Sequence, residues 1–410
     1  MTAGGLARKP RPDVSARSGA KPVLATSADR RVRVMMLLGD LNGGGAERVA
    51  LTLLNRCDPA AVDMRIGIMR RAGSLLGTPE PDRLTALAQW PRTWTEAIGT
   101  PGQVADLIAG TDPHVVMSFG MGVDALMWPA LRLLGRRAPR WICRQDSNPD
   151  AEIVDLGTGP VLRWIVTRYM RAIQGSAHAR VAVSSDLAAK ADRGSRWSGL
   201  ASQVIHNPLD LAQIERDAAR PLPVTPVRPF VVAAGRLVHQ KGYDLLIRAF
   251  ADSVEARGME LIILGEGPLG GVLRAQAATL GVADRVRFPG YQDNPWAWFA
   301  RARLAVLPSR WEGFGNVVSE AMACGAPTLV TDCDFGPREQ VAHGINGWVV
   351  KTEDPAALTR GLDTILGDPD LARRLAAGGK ERAQDFAIDP IVEAYTALFL
   401  EQGARGRHAA

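Results

Sequence analysis

From residue 32 onward, short unbroken apolar runs alternate with stretches in which apolar residues recur every three to four positions. The runs predict strands at 32–38, 63–69, 114–119, 140–143, 180–184 and 203–206, and after 229 near 259–264, 285–288, 303–307, 327–331 and 347–350. The helical spacing predicts helices from Ala46 and at 121–134, 160–175 and 185–193, further helices between the later strands, and a last one at 386–402. Strands that regularly alternate with helices argue for an α/β protein with parallel sheets.

Two segments begin alike. "VRVMMLLGDLNGGGAERVALTLLNR" (32–56) and "PFVVAAGRLVHQKGYDLLIRAF" (229–250) each run from buried strand through a glycine-bearing loop into a helix. Such units open doubly wound sheets, whose ligands sit in the loops at the carboxyl ends of the strands. Neither loop has the spaced glycines of the dinucleotide fingerprint, so a nicotinamide cofactor is not indicated. The proline-rich span 220–229 reads as a linker. The expected organisation is a tail at 1–30, a first Rossmann-like domain at 31–219, the linker, and a second Rossmann-like domain at 230–385. A closing helix and tail at 386–410 is expected to pack back on the first domain, and the two domains to face a central cleft.

Composition narrows the class. With 410 residues, 46% hydrophobic and 22% charged, the chain has enough apolar content for two ordinary cores. The first 30 residues, rich in Ala, Arg, Pro and Ser, read as a disordered basic tail without a signal-peptide core. No run approaches the roughly 20 apolar residues that span a bilayer, which predicts a cytoplasmic protein, soluble or peripheral on the membrane's inner face. The net charge of +6 fits an anionic partner, although part of it lies in the tail. Nucleic acid is set aside because no recognition module is present and the cations are scattered. Cys57, Cys143, Cys324 and Cys333 lack metal-ligand spacing and read as reduced thiols.

The candidate chemistry gathers at the strand ends of the second half. Arg236 and Lys241 follow its first strand, "GEGP" (265–268) the second and "GYQDN" (290–294) the third. "SRWEGFGNVVSEAMACG" (309–325) follows the fourth and "TDCDFGPRE" (331–339) the fifth. Glu312 falls in a loop and Glu320 about one turn into a helix that starts at Asn316. Amides at a helix start attract phosphate, while carboxylates accept bonds from hydroxyls, so the pattern suits a polyhydroxylated anion. A capping arrangement with a solvated acidic loop is the alternative. Two cations beside a helix N-terminus suggest a diphosphate site. Asp332-Cys333-Asp334 spells Asp-x-Asp, but in this loop it is not read as a metal site.

Several of these segments together resemble the donor domain of the retaining GT-B glycosyltransferases of family 4, the glycosyltransferase group 1 type. They are "GRLVHQKGYDLLIRAF", "LIILGEGP", "RVRFPG" and "PSRWEGFGNVVSEAMACGAPTLVTDCDFGPRE". "LNGGGAERV" and "HNPLD" resemble the family's first-domain loop and interdomain crossover. The resemblance implies a metal-independent hexosyltransferase that needs no cofactor and takes a nucleotide sugar, expected to be UDP-linked, as donor. It implies that Arg236 and Lys241 hold the diphosphate, Glu312 grips the donor sugar, and Glu320 binds the ribose. Gly313, Phe314, Gly315 and Asn316 complete the donor site on that side, and Gly43, Gly44 and Gly45 approach the phosphates from the other domain. Retention in such enzymes is explained by front-face displacement, so no side chain need attack the sugar.

One departure concerns the first domain. Many family members place a histidine after a mid-domain strand, whereas "VVMSFGMGVD" (115–124) has none and His114 precedes the strand. Asp124, Arg144 and Asp146 lie nearby without assigned roles. "SFG" and "CRQDSNP" resemble the subgroup that builds lipid-linked or cell-surface glycans, including lipopolysaccharide, which implies a saccharide or lipid-linked saccharide acceptor. Two basic stretches, 127–141 and 161–180, mix arginine with aromatic and aliphatic residues. The second, with Arg163, Trp164, Arg168, Tyr169 and Arg171, is a candidate surface for an anionic membrane. Either can also be an ordinary domain helix with one solvated basic face, the preferred reading for 127–141. A non-enzymatic nucleotide-sugar binder and a GT-B-shaped sugar-nucleotide epimerase are the rival functions.

Overall fold

The first apolar run forms β1 (Val32–Leu38), buried on both faces, as a strand must be when helices cover both sides of a parallel sheet. After it come α1 (Gly45–Arg56), β2 (Val62–Ile68), β3 (Leu84–Ala86), α2 (Trp94–Thr111), β4 (Val115–Phe119) and α3 (Met121–Leu134). The lobe continues through β5 (Arg140–Gln145), α4 (Pro149–Asp155), α5 (Pro160–Gly175), β6 (Ala179–Ala182), α6 (Ser185–Gly194) and β7 (Ser202–Val204). This computed structural model describes residues 31–87, 94–155, 159–194 and 200–407, so the tail expected at 1–30 lies outside the described residues.

A second series follows α7 (Leu211–Ala218): β8 (Phe230–Ala234), α8 (Tyr243–Asp252), β9 (Glu260–Leu264), α9 (Gly270–Thr279), β10 (Val286–Gly290) and α10 (Trp296–Phe299). It ends with β11 (Leu304–Leu307), α11 (Asn316–Ala323), β12 (Thr328–Thr331), α12 (Pro337–Gln340), β13 (Trp348–Val350), α13 (Pro355–Gly367) and α14 (Pro369–Ala383). The last helix is α15 (Ile388–Arg407).

The strands form two parallel sheets, in the orders β3-β2-β1-β4-β5-β6-β7 and β10-β9-β8-β11-β12-β13. The expected α/β architecture of two doubly wound domains is present. In each sheet the winding direction reverses beside the first strand, between β1 and β4 and between β8 and β11. Such a reversal opens a crevice at the carboxyl ends of the strands. The glycine loop follows β1, Arg236 and Lys241 follow β8, and Glu312 follows β11. The sequence's most polar loops are thus delivered to the two switch points.

Sequence reading missed β3, α2, α4 and α7, the first three for identifiable reasons. β3 is three residues long, too short to show a period. α2 carries Pro101 inside it, a residue that normally breaks helical patterns. α4 is a seven-residue segment whose charged residues hide the buried apolar side chain of Ile153.

The lobes share chain at two crossings. Leu209 and Ala387 form a parallel bridge, so the outgoing and returning segments run side by side. On its return, α15 inserts Ile391, Tyr395 and Phe399 into the first lobe's core against β1, β2, β4 and β5. Tyr395 and Phe399 are fully buried. Burying each such side chain is worth about 1.5–3 kcal/mol, so the chain's end is a structural part of its first lobe.

Candidate active site

Between the switch points two helix starts face each other. The N-cap of α1 is Gly44 and that of α11 is Gly315, and neither has a side chain capping it. Glu47 folds back on its own backbone N–H at the first start and the Val318 N–H donates to the Gly315 carbonyl at the second, but no N-cap side chain closes either, and both helix dipoles present positive ends to the same space. The approach is close: a Cβ built on Gly45 would lie 2.9 Å from Nδ2 of Asn316. Gly315 has φ +81°, a left-handed conformation that turns the Glu312 loop into α11 and that side chains tolerate poorly. At Gly313 a Cβ would overlap the carbonyl of Asp146, so glycine there lets the loop touch the first lobe.

Lys241 and Glu312 meet at the floor of this space. The Lys241 ammonium donates to Glu312 Oε1 at 2.5 Å, and the Ser309 hydroxyl donates to the same oxygen at 2.6 Å. Glu312 is 4% exposed. Arg236 is not part of this pair. It stands exposed at the end of β8, and its charge is felt by Glu47 in the first turn of α1. Burial raises the Glu47 carboxyl above its ordinary range; Arg236 and Arg48 partly oppose this. The expectation that both cations face the start of α11 is therefore refined: Lys241 lies under the loop, while Arg236 faces across the cleft.

Glu320 projects from α11 toward a residue that sequence reasoning overlooked. Burial pushes its carboxyl up, and the Arg48 guanidinium pulls it back. Burial works against the Arg48 charge, yet Glu320 and Tyr291 together hold its pKa above the ordinary value. Arg48 also donates to the Tyr291 hydroxyl at 3.2 Å. A first-lobe cation thus reaches two second-lobe groups. The available signal was its place one residue after "GGGAE", inside the helix that the glycine loop starts.

The rest of the Glu312 loop is braced rather than free. Phe314 is buried, 5.4 Å from the His206 ring and 5.2 Å from Phe386. Asn316 Oδ1 accepts from Asn207 at 2.6 Å, and Asn207 in turn accepts from Arg144. Arg144 is fully buried, also donating to Tyr395 at 2.8 Å and pairing with Asp146. Glu339 joins the lobes again, accepting from Ser185 N at 2.7 Å and lying 2.6 Å from His206 Nε2. Burial alone would raise the Glu339 carboxyl, but these bonds outweigh it and hold it below its ordinary range. Arg144 and Asp146 therefore support the interlobe joint.

Asp124 lies elsewhere, inside the first lobe. It accepts from Ser118 at 2.6 Å, Gln174 at 3.0 Å and Cys143 at 3.3 Å, and burial pushes its carboxyl up to about 6. Asp332 of the Asp-x-Asp string is paired with Arg338.

The outer face of the first lobe is unusual for a solvated surface. On α5, Val161 is 72% exposed and Trp164 62%, with Leu162, Ile165 and Tyr169 also exposed. The Arg168 guanidinium lies 5.1 Å from the Trp164 ring, and Arg132 of α3 lies 4.9 Å from Trp128. Tyr169 donates to the Ala125 carbonyl at 3.2 Å, joining the two helices into one apolar and basic face. Within 127–141, Met127 and Ala130 of α3 are buried while Trp128 and Leu133 are exposed, so α3 has the one buried side of an ordinary domain helix. Among the described residues no helix is long and apolar enough to cross a membrane.

This fold and cleft are of the GT-B type, two parallel-sheet Rossmann-like lobes with the polar loops of both turned to one crevice. Residues 217–382, in the carboxy-terminal lobe, match the family model of glycosyl transferases group 1. A Campylobacter jejuni protein named N-acetylgalactosamine-N,N'-diacetylbacillosaminyl-diphospho-undecaprenol 4-alpha-N-acetylgalactosaminyltransferase is 31% identical over 184 residues, 45% of this chain and 49% of that one. The lipopolysaccharide core biosynthesis glycosyltransferase LpsE of Rhizobium meliloti is 36% identical over 171 residues, 42% of this chain and 49% of its own. The matches with these curated relatives span about half of their length. Among solved structures, Anabaena HepE in complex with UDP-glucose superposes with TM-score 0.73 at 17% identity, covering 90% of this chain and 100% of that one. Sucrose-phosphate synthase from Thermosynechococcus elongatus gives TM-score 0.73 at 20% identity, covering 92% and 100%. At these identities the likeness to the solved structures speaks for the fold.

Proposed function

We propose that the protein is a retaining, metal-independent glycosyltransferase that moves a hexose or N-acetylhexosamine from a UDP-sugar to a saccharide or lipid-linked saccharide in surface glycan biosynthesis. The observation that carries this is the convergence of two uncapped helix starts with Lys241 and Arg236 on one cleft. Helix-start amides and fixed cations suit a diphosphate leaving group, whose charge grows as the glycosidic bond breaks. In the proposed step the bond from the sugar's anomeric carbon to phosphate breaks as the acceptor oxygen bonds to the same face. The acceptor's proton passes to the departing phosphate oxygen. Lys241 and Arg236 stabilise the diphosphate, Glu312 orients the sugar, and Glu320 takes the ribose hydroxyls. Gly43 to Gly45 and Gly313 to Asn316 bring backbone close to the phosphates.

The names of the relatives support this reading of the substrates, one specifying a diphospho-undecaprenol acceptor and another lipopolysaccharide core biosynthesis. Purified protein incubated with a panel of UDP-sugars should hydrolyse one of them slowly, releasing UDP and free sugar. Unchanged donor would favour a binding protein. A changed sugar still attached to UDP would favour an epimerase.

The exposed face of α5 and α3 supports peripheral docking on the cytoplasmic leaflet. Apolar rings enter the headgroup region while arginines meet anionic lipid, each worth on the order of 1 kcal/mol near the surface. Protein should pellet with vesicles containing anionic lipid at low salt, release as salt rises, and pellet less once Trp164→Ser and Arg168→Ser are combined. Folded protein that ignores such vesicles would mark the face as having another partner.

A further inference from the structure

A cavity of about 460 Å³ opens beside the proposed donor site, lined by Arg171 of α5, Lys190 and Arg193 of α6, and Asp334 and Phe335 of the second lobe. Behind it a small pocket of about 40 Å³ shares Arg171 and Lys190 and is lined also by Gln145 and Asp150. We infer that this cavity is the acceptor subsite, and that it takes a sugar carrying a phosphate or diphosphate group, with the anion held by Arg171, Lys190 and Arg193. The inference rests on the transferase reading above and adds to it the chemical class of the acceptor.

Three features set this cavity apart from an ordinary surface dent. The first is charge. Lys190 is held at 2.8 Å by Asp150, while Arg171 stands 3.8 Å from that same carboxylate and Arg193 is exposed at the end of α6. The two arginines are therefore the less committed cations, and two carboxylates, Asp150 and Asp334, are set against three positive groups. Arginine's planar fork suits phosphate oxygens, whereas the exposed Asp334 suits a sugar hydroxyl.

The second is the wall. Phe335 is 8% exposed, and its backbone sits at φ +66°, a conformation that a bulky residue adopts only when its surroundings impose it. Lys190 stands 5.2 Å over its ring. The turn that strains Phe335 places an aromatic group between the donor loop and the first lobe, where the apolar face of a sugar would rest. The third is an unmet bond. Gln145 is 6% exposed, and its Oε1 has no hydrogen-bond partner among the described residues. A buried carbonyl without a donor is costly, and a ligand hydroxyl reaching the small pocket would satisfy it.

The source of the phosphate is separable. Trp164, Arg168 and Arg171 lie on one side of α5 at i, i+4 and i+7, so the apolar face and the cavity are about 10 Å apart along the helix. A phosphate anchored in a membrane and a phosphate on a soluble sugar share the chemistry but not the route.

The test uses the full chain saturated with UDP, so that the donor site is filled, and measures binding of inorganic diphosphate by calorimetry. Saturable binding is expected, weakened at least tenfold by Arg171→Ser combined with Arg193→Ser, with UDP affinity unchanged. Arg193→Glu alone should weaken it as well, which guards against a folding defect in the double variant. Neutral vesicles doped with a polyprenyl diphosphate should displace the probe if the acceptor is lipid-linked; a soluble hexose phosphate should displace it if the acceptor is water-soluble. No diphosphate binding to the UDP-saturated protein, equal binding by the variants, or displacement by neither competitor would each overturn the subsite. Loss of UDP binding by the parent protein would instead overturn the transferase reading beneath it.

Discussion

Lys241→Ala should lower turnover at saturating donor by about 2–4 kcal/mol of transition-state stabilisation, on the order of 30- to 900-fold. The ammonium is 2.5 Å from Glu312, and both side chains are largely shielded. In the resting cleft it therefore balances a carboxylate; in the proposed transfer it would also meet the growing charge of the diphosphate. Removing it subtracts both interactions. The buried Glu312 would be left with the Ser309 hydroxyl and no cation, so a loss of thermal stability should accompany the loss of rate. Arg236→Ala separates the two effects. Arg236 is exposed and outside this ion pair, so its replacement should slow turnover with little change in melting temperature. Near-parental turnover in both variants, with donor saturating, would remove the diphosphate assignment.

The two glutamates should separate in binding. Glu320→Ala is expected to weaken UDP itself by on the order of 1–3 kcal/mol, because its proposed partner is the ribose. Arg48 complicates this in a measurable way. Its charge favours the ionised Glu320 against burial, so a ribose bound there would lie in the field of a first-lobe cation. Glu320→Gln keeps an acceptor for ribose and should recover part of the loss. Glu312→Ala should leave UDP affinity within a few fold, since Lys241 remains for the phosphates, but should impair binding or turnover of the UDP-sugar. Calorimetry with UDP and UDP-sugar on the two variants distinguishes the roles, and the reverse pattern would exchange them.

Much of this arrangement was legible in residue order because strand-end loops in a parallel sheet have one destination. The apolar runs at 304–307 and 328–331 fix where β11 and β12 end, and the polar residues after them must emerge at the same edge. What stayed hidden depends on pairs that meet only after folding. Arg48 and Tyr291 are 243 residues apart, and Arg144 and Tyr395 are 251 apart; no local pattern predicts either contact. Asp124 drew no role from its position just after a strand; its place in the first turn of α3 puts it inside the lobe, among Ser118, Cys143 and Gln174. The exposed aromatics of α5 were visible as composition. Only the packing of α5 on α3 shows that they are left outside.

The central claim is that the cleft between the two glycine-started helices holds a nucleoside diphosphate sugar. A specific ligand raises melting temperature by mass action, and the increment grows with its concentration relative to Kd. Thermal unfolding of the parent protein and of Arg236→Ala across a panel of nucleotide sugars tests this most directly. The account predicts that UDP raises the parent's melting temperature, that one UDP-sugar raises it further, and that both increments shrink in the variant while its ligand-free transition stays in place. A folded parent protein whose transition is shifted by no member of the panel at millimolar concentration would contradict it.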